Sequence, residues 1–128
     1  MYGFTVKTPD SFEDTIARVT QALKDEGFGV LTEIDVAGTL KAKLGLERSP
    51  YRILGACNPT LASQALEADP DIGMLLPCNV IVRQDEDGVT VGFMDPQAVL
   101  NLVDQPGVET LAKEVRARLE RVREAIAP

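Results

Sequence analysis

The chain has 128 residues, 45% hydrophobic and 26% charged, with a formal net charge of -7, which fits one globular domain over residues 1–128 with its own core. It contains no histidine, so Ser-His-Asp and Cys-His catalysis within the chain, His-ligated zinc or haem, and histidine acid–base chemistry are excluded. The charge leaves no basic footprint for nucleic acid and disfavours an anionic membrane surface, and no apolar run approaches the roughly 18–20 residues of a membrane span.

Met1 to Val6 shows no basic region followed by an apolar stretch, so no secretory signal is read there. Two cysteines in a domain of this size are no disulfide framework. The expectation is a cytoplasmic protein, with neither nucleic acid nor membrane among its partners.

Phe4 and Val6 alternate with Thr5 and Lys7, predicting a first strand. Pro9-Asp10-Ser11 breaks it, and Asp10 or Ser11 can cap the following helix. Phe12, Ile16, Val19 and Leu23 recur at helical spacing, and Gly27 suits the helix end. Phe28 to Asp35 reads as a second strand. Asp35 caps a short helix carrying Leu40 and Leu44, closed by Gly45. Tyr51 to Cys57 reads as a third strand, apolar enough to be buried on both faces.

Asn58-Pro59 is a strong helix start, because Asn is a preferred cap and Pro tolerates the first helical position. That helix carries Leu61, Ala62, Ala65 and Leu66 and ends at Asp69-Pro70. Met74-Leu75-Leu76-Pro77 is read as a loop with an apolar centre. Cys78 to Arg83 is a fourth strand, joined by Asp87-Gly88 hairpin chemistry to a fifth with Val89, Val91 and Phe93. Asp95-Pro96 starts a short helix. Val108, Leu111, Val115, Leu119, Val122 and Ile126 mark a long last helix, whose basic residues read as a plain charged face. The order predicts an α+β, two-layer domain: one mixed or antiparallel sheet of about five strands covered by helices.

Chemistry is sought first at the cysteines. Cys57 directly precedes the Asn58-Pro59 helix start, where free N–H groups and the helix dipole favour an anion such as a thiolate. Cys78 opens the fourth strand, and if the third and fourth strands are neighbours the two sulfurs can lie close. Free cysteine is also a common core residue, so inert packing stands beside a redox pair and a metal pair. The spacing is no CxxC motif, and two thiolates are too few for structural zinc. A soft two-coordinate ion such as Cu(I) remains compatible, with Cys57 and Cys78 as its candidate ligands. Glu33 and Asp35 project to one side of the second strand and form a second, weaker candidate.

The segments Gly27-Phe28-Gly29-Val30, Glu33-Ile34-Asp35, Tyr51 to Pro59 and Leu76-Pro77-Cys78-Asn79-Val80 resemble the family catalogued as domain of unknown function 302. The resemblance runs from Phe4 to the last helix. It implies a small bacterial or archaeal α+β protein that forms homodimers and has no settled activity. The matching positions Glu33, Cys57, Asn58, Pro59, Pro77 and Cys78 become candidate site residues.

Three functions follow as expectations. The first is a homodimeric module binding a small ligand or a soft metal ion near Cys57 and Cys78. The second is a thiol-dependent redox protein or enzyme with Cys57 as nucleophile and Cys78 as resolving thiol. The third is a purely structural or interaction protein. No cofactor can be named from the sequence.

Overall fold

The alternation of strands and helices read above is present in the computed structural model, which describes residues Met1 to Pro128. In chain order the elements are β1 (Gly3–Thr8), α1 (Phe12–Asp25), β2 (Gly29–Asp35), α2 (Val36–Leu44), β3 (Tyr51–Cys57), α3 (Pro59–Ala68), a 3-10 helix (Pro70–Leu75), β4 (Cys78–Asp85), β5 (Gly88–Met94), α4 (Pro96–Leu100) and α5 (Val108–Ile126). No helix is long and apolar enough to cross a membrane.

The strands form one sheet in the order β1-β5-β4-β3-β2, and every neighbouring pair is antiparallel. The α+β expectation therefore resolves to an antiparallel sheet. Cross-strand rows on one face build the core. Phe4, Phe93, Val80 and Leu54 lie side by side, as do Val6, Val91 and Val82. Val19 and Leu23 of α1 and Leu119, Val122 and Ile126 of α5 close over them. Fully burying one such side chain is worth about 1.5–3 kcal/mol.

Local chemistry sets the helix starts. Ser11 accepts a hydrogen bond from the Asp14 backbone N–H at 3.1 Å, and Asp35 accepts one from Gly38 at 2.9 Å. Gly45 ends α2 with φ at 67°, where a side chain would be strained.

Three expectations change. Met74 and Leu75 belong to the 3-10 helix and not to a loop. Asp69 caps it by accepting from the Asp71 N–H at 3.0 Å, and buried Ile72 anchors it. The Asp69-Pro70 pair that ends one helix is also a cap-and-proline start for the next. In addition, burial along β3 is confined to Leu54, Gly55 and Ala56, with Tyr51, Arg52, Ile53 and Cys57 only half-buried. Finally, the arginines of α5 do not form a plain solvated face. Arg116 pairs with Asp95 and with Glu120, while both Arg116 and Arg123 lie over the ring of Phe4. Arg118 donates to the Glu26 carbonyl at 2.9 Å, and Arg121 pairs with the Glu26 carboxylate at 2.8 Å. These contacts tie α5 to β1 and to the turn between α1 and β2, alongside the apolar stripe.

At the β4–β5 hairpin, Lys7 donates to Asp85 at 2.8 Å and to Asp87 at 3.0 Å. The hydrogen bond from Lys7, joined by one from Thr90, holds the Asp85 carboxyl down to about 2. A depressed carboxyl contributes stability that is present above its unfolded value of about 3.9 and is lost as pH falls toward the folded one. Asp85→Asn is therefore expected to flatten the acid limb of a stability profile between about pH 4 and pH 2. Urea midpoints measured across that window check this, and an unchanged limb contradicts it.

Candidate functional site

The candidate site grows from the end of β3. The strand stops at Cys57, and Asn58 turns the chain into α3. The Asn58 side-chain oxygen accepts from the Leu61 N–H at 3.2 Å, and Pro59 takes the first helical position. Asn58→Ala is expected to lower stability by about 1 kcal/mol, the usual loss of a cap. The midpoint of chemical denaturation reads this directly, and an unshifted midpoint would mean that the cap does not hold α3.

Cys78 opens the neighbouring strand β4, just after the cis Leu76–Pro77 peptide bond. The neighbour relation of the third and fourth strands is thus present, but the cysteine pair is not formed. In the register Ala56, not Cys57, sits opposite Cys78, whereas Cys57 sits opposite Gly29. Strand alternation sends Cys78 to the helix-covered face with Ala56 and gives Cys57 the other parity. Both thiols are free and not in contact. Burial first, with the nearby Cys57 adding to it, pushes the Cys78 thiol up to about 11, so it is protonated at neutral pH.

What the two cysteines share is a cavity of about 320 Å³ at the sheet end where β3 and β5 finish and β4 begins. Leu61, Ala62 and Ala65 of α3 form one wall, and Leu111 and Val115 of α5 another. Phe28, Leu31 and Thr32 come from the start of β2, and Leu76, Pro77, Met94, Pro96 and Leu100 complete the lining with Ala56, Cys57, Asn58 and Cys78. Thirteen of the seventeen lining residues are hydrophobic, and none is charged.

The sequence-derived candidates thus divide. Cys57, Asn58, Pro77 and Cys78 converge on this cavity, and Pro59 sets the helix that walls it. Glu33 is not among the lining residues. Its carboxylate pairs with Arg52 at 2.8 Å, and Arg52 lies over the ring of Phe12. Its former companion Asp35 caps α2. Sequence reasoning missed Thr32, Met94, Leu100 and Leu111 as lining residues. Leu111 carried a usable signal. It lies in the apolar stripe of α5, yet Ala112 beside it is the residue buried in the core, which leaves Leu111 half-buried against the cavity.

A family model described as domain of unknown function DUF302 matches residues 4–126. The chain belongs to this family. A solved structure of the uncharacterized conserved protein DUF302 from Bacillus stearothermophilus is similar to it throughout, with 31% identity, 98% of each chain covered and a TM-score of 0.91. Comparison with curated proteins finds no match. The DUF302 description names no activity.

Proposed function

We propose that this chain is a homodimeric cytoplasmic module that binds a small molecule in the cavity beside Cys57 and Cys78. The cavity itself carries the reading. Its volume of about 320 Å³ lies within the range of ligand pockets, roughly 300–1,000 Å³, and its apolar walls with a few converging polar groups are the usual lining of such sites. A bound metal ion has less support. No group of three or more His, Cys, Asp or Glu side chains is placed to hold one, and a Cys78 thiol protonated at neutral pH is a poor ligand until it loses its proton. Catalysis has less support too, since no carboxylate, lysine or arginine lines the cavity to act as acid or base. The redox reading needs the two sulfurs to meet, and the register gives it no support. Two free thiols suit a reducing compartment.

The dimer is supported by the sheet face that no helix covers. One cross-strand row on it runs Ile34, Ile53, Ile81, Gly92 and Thr5. Water-facing sheet surfaces normally alternate to polar residues, so three isoleucines side by side point to a covered surface. Strand spacing and rise give this face on the order of 500 Å². Met1, Tyr2 and Tyr51, which border the same groove, extend it toward the ~800 Å² per partner of a standard interface. A second copy is the occupant we assign, because an apolar row can be its own complement across a twofold axis.

Native mass spectrometry after gentle purification without chelators tests both parts. The expected result is a dimer carrying a small-molecule adduct that is absent from Ala62→Trp, in which a large side chain fills the cavity. A monomer at micromolar concentration contradicts the dimer. An adduct that persists unchanged in Ala62→Trp contradicts the site.

A further inference from the structure

We infer that the ligand of this cavity is an uncharged molecule with an apolar body and one hydroxyl or carbonyl group, of the size of two fused rings or a medium-length alkyl chain; the inference rests on the cavity being the binding site.

Size is bounded by the volume. An apolar cavity of about 150 Å³ holds one benzene, and about 320 Å³ is roughly twice that. Nucleotides and large cofactors would project far into solvent.

Charge is bounded by the walls. No lysine, arginine, aspartate or glutamate lines the cavity. A carboxylate or phosphate entering it would shed water without meeting a cation, and an ammonium would shed water without meeting an anion. Either transfer costs several kcal/mol. The formal net charge of -7 adds a long-range bias against anions.

The polar lining atoms are those of Thr32 in β2, Cys57 at the end of β3 and Asn58 at the cap of α3. Thr32 packs over Gly55, where an added Cβ would strike its hydroxyl and the Pro77 ring, so this corner of the mouth is closely built. Asn58 spends its side-chain oxygen on the helix cap. Its amide nitrogen lies beside Gly27 and the Arg118 guanidinium, at the turn between α1 and β2, and the hydroxyl of the exposed Thr32 makes no hydrogen bond within the chain. The donor–acceptor hydroxyl of Thr32 in the lining matches one carbonyl or hydroxyl oxygen. A pure hydrocarbon would leave that capacity unused, and an ionised group would exceed it.

Calorimetric titration of the whole protein at pH 7.5 with 1-decanol and with decanoate, each below its aggregation limit, tests this. The two probes share a chain length and differ in charge. The expected result is binding of 1-decanol at least tenfold tighter than decanoate, lost in Ala62→Trp and in Leu111→Trp, with circular dichroism reporting that each variant is folded. Decanoate binding as tightly as 1-decanol overturns the uncharged class while leaving the cavity as the site. Binding that survives in both folded tryptophan variants, or no binding of either probe to the unmodified protein, overturns the site and the inference together.

Discussion

In a Cys57→Ser variant, the remaining Cys78 thiol is expected to resist iodoacetamide at neutral pH until the protein unfolds, while in Cys78→Ser the Cys57 thiol is expected to react in the folded state. Two effects act in the same direction. Cys78 is 8% exposed, whereas Cys57 is half-buried at the cavity. Burial also raises the Cys78 thiol to about 11. A raised thiol pKa means less thiolate below it. Raised from 9.0 to about 11, the thiol holds roughly a hundredfold less thiolate at neutral pH, and limited access slows it further. Alkylation followed by mass spectrometry on the two variants measures the ratio. Equal rates in the folded protein would contradict the placement of Cys78.

Leu119→Ala is expected to cost about 2–5 kcal/mol, the range for emptying a filled core position. Leu119 is wholly buried in the cluster that joins α5 to the sheet. The neighbouring β4 and β5 residues are fixed by the ladder and cannot collapse fully into the space. The arginine contacts of α5 do not offset the loss, because they lie on its partly exposed flank. Denaturant midpoints with an unchanged slope would read the loss as stability. A cost under about 1 kcal/mol would mean that α5 is held by its ion pairs instead of its apolar stripe.

The elements that could be read from the sequence are those specified by neighbours along the chain. Ser11, Asp35, Asn58 and Asp95 each cap a helix as expected, and the stripes of α1 and α5 are the faces that pack. What depends on pairing between distant strands could not be read. The position of β1 and β2 at opposite edges follows from register and long-range packing, which no local pattern encodes. The same holds for the site. Cys57, Asn58, Pro77 and Cys78 are marked by their local chemistry, but the cavity needs Met94, Leu100 and Leu111 from elements far along the chain. Glu33 shows the opposite failure. Its spacing from Asp35 suggested a functional pair, and each carboxylate instead has a structural partner. The arginines of α5 look like a solvated charge run in one dimension because Phe4, Glu26 and Asp95 lie far away in sequence.

The central claim is that a small molecule enters the cavity at the end of the sheet. Methyl-resolved NMR titration with a small uncharged alcohol tests it most directly. The account predicts that shifts concentrate on Leu61, Ala62, Ala65, Leu100 and Leu111, which wall the cavity. Shifts confined to Ile34, Ile53 and Ile81, on the uncovered face of the sheet, or no shifts at all, would contradict it.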